Sequence, residues 1–185
     1  LKISYAAWGW PRKAQARRAV VNIQSLAFSL PIRANAAMEI LNQFMAYAEA
    51  FEKTYADDDW SRLQPYFAED AVYEVQSEVF GCSLRGPEAI LAGLKKSVNG
   101  FDRKFAQRTI DVTAPPRVDG DELSLDWTVT YQQEGLTPFV LRGSSRAQFR
   151  DGKIIALVDS YDSSVTADAV AWQQANGVVL DPSYT

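Results

Sequence analysis

Apolar residues recur at three- and four-residue spacing from Met38 to Tyr55, with Ile40, Leu41, Phe44, Met45, Ala48, Phe51 and Tyr55 on one stripe. That is the period of an amphipathic helix with one buried face. The acidic triplet Asp57-Asp58-Asp59 supplies cap candidates and negative charge for a second, short helix starting near Trp60, with Leu63 and Phe67 pointing inward. From Ala71 to Val75 the period falls to two, as in a half-buried strand, and Gly81, Gly86 and Pro87 punctuate a compact loop after it. Pro87 suits the first turn of a helix that carries Ile90, Leu91 and Leu94 and ends around Asn99-Gly100.

Beyond Gly100 the pattern becomes alternating. Phe105 to Val112 reads as one strand, and Leu123, Leu125, Trp127, Val129 and Tyr131 share a face of the next, opposite Ser124, Asp126, Thr128, Thr130 and Gln132. Asp119-Gly120 between them is a hairpin signal. Phe139, Leu141, Gly143, Ser145, Ala147 and Phe149 share a face of a third strand, which Asp151-Gly152 turns into a fourth, Lys153 to Tyr161. Val165 to Asn176 reads as a closing helix with Gly177 as its stop. Helices first and a meander last predict an α+β fold, its helices on one face of an antiparallel sheet. The sequence has no internal repeat and no linker between two domains.

Composition narrows the function classes. The 185 residues are 47% hydrophobic and 12% aromatic, which fits one domain with a real core. No apolar run nears the roughly 20 residues a membrane span needs, so none is expected. Histidine is absent, which removes His-activated serine and cysteine nucleophiles and leaves the usual zinc sites short of ligands; no metal and no cofactor is expected. Cys82 is the single cysteine and reads as a small buried residue rather than a reactive thiol. The charge is uneven. Residues 1–37 hold Lys2, Arg12, Lys13, Arg17, Arg18 and Arg33 and no acid, which leaves 13 basic against 23 acidic residues in 38–185, a net charge of −10. A nucleic-acid partner is therefore not expected for that body.

Met38-Glu39 opens the first periodic pattern, so 1–37 is expected to be a basic extension with little order and 38–185 a single domain. Three readings of the extension stay open. It is a poorly ordered upstream segment, a signal-peptide-like stretch in which Arg17-Arg18 and an apolar run lead to Ala34-Asn35-Ala36, or a basic strip that contacts the acidic body or membrane phosphates. The expected compartment is cytoplasmic, or an exported location if the segment is a signal peptide.

The segments FAEDAVYE, LRGPEAI and DGKIIALVDSYDS stand in an order of helix, short helix, strand, helix and long meander. That layout, over roughly residues 38 to 163, resembles the NTF2-like superfamily, especially its SnoaL-like, ketosteroid-isomerase-like and limonene-epoxide-hydrolase-like members. The resemblance implies a curved sheet wrapped around helices, a cone with an apolar pocket for a small apolar molecule, and a homodimer formed through the sheet. It also implies where carboxylates belong. The isomerases carry a base just after the first-strand glutamate, where Glu74 is followed here by Val75; their oxyanion donors match Phe51 and Ser145. Isomerase chemistry of that kind is therefore not expected. Val75 is expected instead as pocket wall, with Glu74 on the opposite face.

LVDSYD resembles the ending of the last strand in epoxide-hydrolase-like and SnoaL-like relatives, and Asp159 falls on the position of their pocket aspartate. Alternation independently puts Asp159 on a face with Ile155, Leu157 and Tyr161, so a carboxylate stands in an apolar row. Burial there would raise its pKa and suit it to work as an acid, a base or a neutral donor. The hydrolase arginine has no counterpart near Asp126 and Thr128. The candidate catalytic residues are Asp159, Tyr161 and Tyr55, and the candidate ligand-binding residues Phe51, Trp60, Tyr73, Val75, Trp127, Phe139 and Leu157. Two functions stay open: a SnoaL-like enzyme using acid/base chemistry on an apolar substrate, or a binding or dimerisation module in which Asp159 satisfies a buried partner.

Overall fold

The computed structural model describes residues 32–78, 80–161 and 164–185. Segment 1–31, which carries most of the signal-peptide and basic-strip readings, lies outside the described residues, while Arg33 and Ala34-Asn35-Ala36 fall in the first helix. Helix α1 (Ile32–Asp57) starts before Met38, so the expected boundary at 37 falls within a helix. Its buried Phe44, Tyr47, Ala50 and Thr54 keep steps of three and four. The helix stops at Asp58, whose φ of 64° is uncommon outside glycine. The Asp58 carboxylate compensates by accepting from Trp60 Nε1 at 2.8 Å, Lys95 Nζ at 2.9 Å and Arg103 Nη1 at 2.9 Å. Lys95 above all, with Trp60 and Arg103, holds that carboxyl well below the usual carboxylate range.

A 3₁₀ helix (Trp60–Tyr66) follows, and Pro65 inside it helps end it before Phe67. Phe67, expected on that helix, instead opens β1 (Phe67–Gln76) and is 1% exposed. Ala71, Tyr73 and Val75 are buried in alternation with Glu74 and Val72. The expected loop after β1 contains an edge strand, β2 (Cys82–Arg85), too short to show a period in sequence; it pairs antiparallel with β1, Cys82 opposite Val75. Helix α2 (Pro87–Gly100) has its proline in the first turn and buries Ile90, Leu94 and Val98.

Strands β3 (Gln107–Val112) and β4 (Arg117–Asp119) both pair antiparallel with β5 (Glu122–Gln132), so they run along the same edge of that strand. The break falls at Pro115-Pro116, which have no N–H to give the ladder. Strands β6 (Phe139–Arg150) and β7 (Lys153–Tyr161) are joined at Asp151 and Gly152, with φ of 52° and 76°, the two left-handed residues of a tight hairpin turn. The strand order is β2-β1-β7-β6-β5-β3. Within it the meander is antiparallel as expected, while β1 joins β7 in parallel, because the chain crosses from β1 through α2 and the whole meander before returning. The sheet is therefore mixed, curved and unclosed, with helices N-terminal to it.

Helix α3 (Ser164–Asn176) ends at Gly177, φ 65°, and residues 178–185 run extended along α2. One core cluster joins α1, α2 and the β1 side of the sheet around Leu63, Tyr73 and Leu157; a second gathers Phe101, Phe105, Tyr131, Phe139 and Trp172. Trp127 and Tyr161 pack against both. No helix among the described residues is long and apolar enough to cross a membrane.

Candidate functional site

Register places Asp159 of β7 between Val75 of β1 and Ser145 of β6, a row across the sheet. Ser145 Oγ donates to Asp159 Oδ1 at 2.5 Å and Tyr73 OH to Oδ2 at 2.7 Å. Trp127 Nε1 donates to Ser145 Oγ at 2.8 Å, which orients that hydroxyl. Each carboxylate oxygen thus holds one fixed donor and keeps a lone pair free. No cation pairs with Asp159 among the described residues. Burial pushes its carboxyl up, and the bonds from Ser145 and Tyr73 only partly offset that push.

Asp159 lines a cavity of about 350 Å³ between the helices and the inner face of the sheet. The walls are mainly aromatic and aliphatic: Phe44 and Phe51 from α1, Leu94 from α2, Trp127 from β5, Phe139 and Leu141 from β6, and Leu157 from β7. Tyr47, Tyr73, Tyr161 and Tyr184 also line it. Burial is the largest influence on each of these phenols and pushes all four up, Tyr184 to about 12, so they stand as neutral donors at neutral pH. Gly143 makes the wall possible. It faces Trp127 and Tyr161 on its two neighbouring strands, and a Cβ there would lie 2.6 Å from the Trp127 ring. The two rings meet edge to face at 5.6 Å, two residue pairs along from the Asp159 row.

A second polar group lies in the wall. Arg108 of β3, its side chain 5% exposed, pairs with Glu52 of α1 and, at 3.2 Å, with Asp102. Tyr131 OH donates to Asp102 Oδ1 at 3.0 Å. Burial pushes the Asp102 carboxyl up against the pull of Arg108 and Tyr131. The guanidinium sits 4.1 Å from the Tyr55 ring centre, a cation–π contact.

Of the residues singled out in the sequence, Asp159, Tyr161, Phe51, Tyr73, Trp127, Phe139 and Leu157 come together on the cavity. Tyr55 contributes nothing to its lining; its ring lies under Arg108 and its hydroxyl reaches the Asp102 carbonyl at 3.5 Å. Trp60 is buried away from it, edge-on to Phe51 and bonded to Asp58. Val75 is buried in the core cluster with Phe80 and Cys82 beside it, next to Asp159 in the row but outside the lining. Asp126 faces outward, 3.3 Å from Arg117.

Sequence reading missed Glu52, Asp102, Arg108 and Tyr184. A signal existed for Arg108, which shares the parity of Ile110 and so falls on the inner face of its strand. Asp102 and Tyr184 come from a 3₁₀ turn and an extended tail, where no period marks the buried side.

Several solved structures share this fold. A candidate SnoaL-like polyketide cyclase from Jannaschia sp. CCS1 superposes with a TM-score of 0.58 at 16% identity, covering 74% of this chain and 93% of that one. An NTF2-like protein of unknown function from Burkholderia pseudomallei K96243 gives 0.56 at 14%, covering 72% and 96%. An epoxide hydrolase of the LEH-like kind from M. tuberculosis gives 0.50 at 17%, covering 76% and 96%. No curated protein matches the sequence. The model of the SnoaL-like domain matches residues 47–157, from the middle of α1 to the middle of β7, and the chain belongs to that family.

Proposed function

We propose that this SnoaL-like chain is an acid/base enzyme acting on a small, mainly apolar molecule held in the cavity, with Asp159 as the group that gives or takes the proton. The observation that carries the reading is a buried carboxylate on an aromatic-walled cavity, fixed by Ser145 and Tyr73 and paired with no cation among the described residues. A carboxyl raised by burial takes a proton at a pH where ordinary carboxylates have lost it, which is what a general acid or base near neutrality requires. Tyr161 and Tyr73 flank it as neutral phenols able to donate to a developing oxyanion. The reactions open to such a set are cyclisation, isomerisation, dehydration or hydrolysis. Dimerisation through the sheet belongs to the same proposal and rests on the family resemblance.

One observation favours the second reading, a binding module without chemistry. Both Asp159 oxygens already have scaffold donors, as a purely structural aspartate would. Native mass spectrometry of the full chain reports the oligomeric state and the mass of any retained small molecule, which identifies a substrate class to assay. Asp159→Asn is then expected to keep ligand affinity and lose about 100-fold or more in kcat, the usual contribution of a positioned acid or base. Unchanged kcat would remove Asp159 and leave the binding reading.

A further inference from the structure

Residues 178–185 lie beyond the stretch that matches the family model and form part of the cavity wall. The segment is extended, so alternate residues face one way, and Leu180, Pro182 and Tyr184 all line the cavity. It is fastened to α2 and α3 along its length, and Lys96 Nζ of α2 reaches the Thr185 carbonyl at its end. Asp181 N donates to the Gly100 carbonyl at 3.2 Å, Ser97 Oγ to the Pro182 carbonyl at 3.4 Å, and Gln173 Oε1 of α3 accepts from Leu180 N at 2.7 Å. The close approach needs a glycine on α2. A Cβ on Gly100 would lie 2.3 Å from the Asp181 carbonyl oxygen, although its φ lies outside the left-handed region.

The last of the three inward residues reaches the polar centre. The Tyr184 and Tyr73 rings are 5.6 Å apart and their phenol oxygens 3.4 Å. The Tyr73 hydroxyl faces both groups, with the Asp159 carboxylate the nearer at 2.7 Å and the Tyr184 hydroxyl, as acceptor, at 3.4 Å.

We infer that residues 178–185 are the strap that closes this ligand cavity and that Tyr184 is its specificity-determining residue, ring as wall and phenol as part of the Asp159 network. This rests on the cavity being a ligand site and requires no catalysis. An apolar molecule that enters on this side displaces the strap, and the strap's bonds to α2 and α3 set how often it lifts.

Nile red serves as the probe, with association to the full chain followed by stopped-flow fluorescence. Gly100→Ala pushes the strap off while leaving the cavity-lining side chains unchanged, and Tyr184→Ala removes the wall. Both are expected to raise the association rate constant by about tenfold, the effect of removing a gating step. Tyr184→Phe keeps the ring and is expected to retain the parent rate, which separates loss of the wall from loss of the phenol. Rates for Gly100→Ala and Tyr184→Ala within about twofold of the parent would overturn the strap, since gating changes exceed that scatter. A parent chain that takes up no Nile red while Tyr184→Ala does would support it. Because the readout is binding, an inactive Asp159→Asn result leaves it intact, and a failed strap leaves the acid/base reading intact.

Discussion

At Arg108 a single side chain stands between two carboxylates, Glu52 and Asp102, with Asp102 drawn upward in pKa by its burial. Breaking a buried pair costs more than the pair contributes, because the partner is left charged and dry. Arg108→Met is therefore expected to lower stability by about 3 kcal/mol at neutral pH. The sign of its pH dependence follows from Asp102. Without Arg108 the folded-state pKa of Asp102 rises further above its unfolded value, so the folded chain binds the proton more tightly. Stability is then lost as pH climbs out of the ordinary carboxylate range, and the deficit narrows as pH falls. Urea denaturation of parent and variant at about pH 5 and about pH 8 checks this, on either side of the window a raised carboxyl opens; a deficit equal at both values contradicts it.

Two neighbouring strands share the work of shaping the site, and Gly143 is where they meet. An added methyl at Gly143 would collide with the Trp127 ring, and that ring also orients Ser145 toward Asp159. Gly143→Ala is expected to destabilise by about 1–3 kcal/mol through overpacking and to alter the near-ultraviolet circular dichroism of Trp127 and Tyr161. An unchanged spectrum would mean the ring has other room. Elements of this kind were largely legible in the sequence. The alternation of Leu123 to Tyr131 and Phe139 to Phe149 set both inner faces and Asp151-Gly152 set the turn, but the one-residue register shift between Gln148 and Phe149 that brings Asp159 opposite Ser145 left no sign in the sequence. Parity alone, however, carries no information about partners. It placed Asp159 with Leu157 and Tyr161 but not beside Tyr73, which arrives through a parallel pairing of β1 with β7, eighty-six residues away in the chain. Short or irregular pieces escaped for a related reason. Strand β2, the 3₁₀ turn bearing Asp102 and the strap bearing Tyr184 are too brief or too extended for a period to mark their buried side.

Across the whole molecule, the family's fold and the proposed chemistry meet at Val75 and Asp159. The SnoaL-like match covers residues 47–157, and Glu74 of β1 is followed by Val75. Val75 and Asp159 are nonetheless direct neighbours in the parallel pair, so the buried carboxylate stands one strand over in the same row. There it has a hydroxyl on each side and aromatic walls beyond. The central claim is that burial raises this carboxyl above the ordinary carboxylate range, so that it can exchange a proton with a ligand in the cavity. The measurement that tests it most directly is a carbon-13 NMR titration of the Asp159 side-chain carboxyl in the full chain, with Asp159→Asn assigning the resonance. A midpoint clearly above the ordinary carboxylate value of about 3.9 is the expected result. A midpoint at or below that value would show a carboxylate held ionised by Ser145 and Tyr73, a structural aspartate rather than a proton carrier.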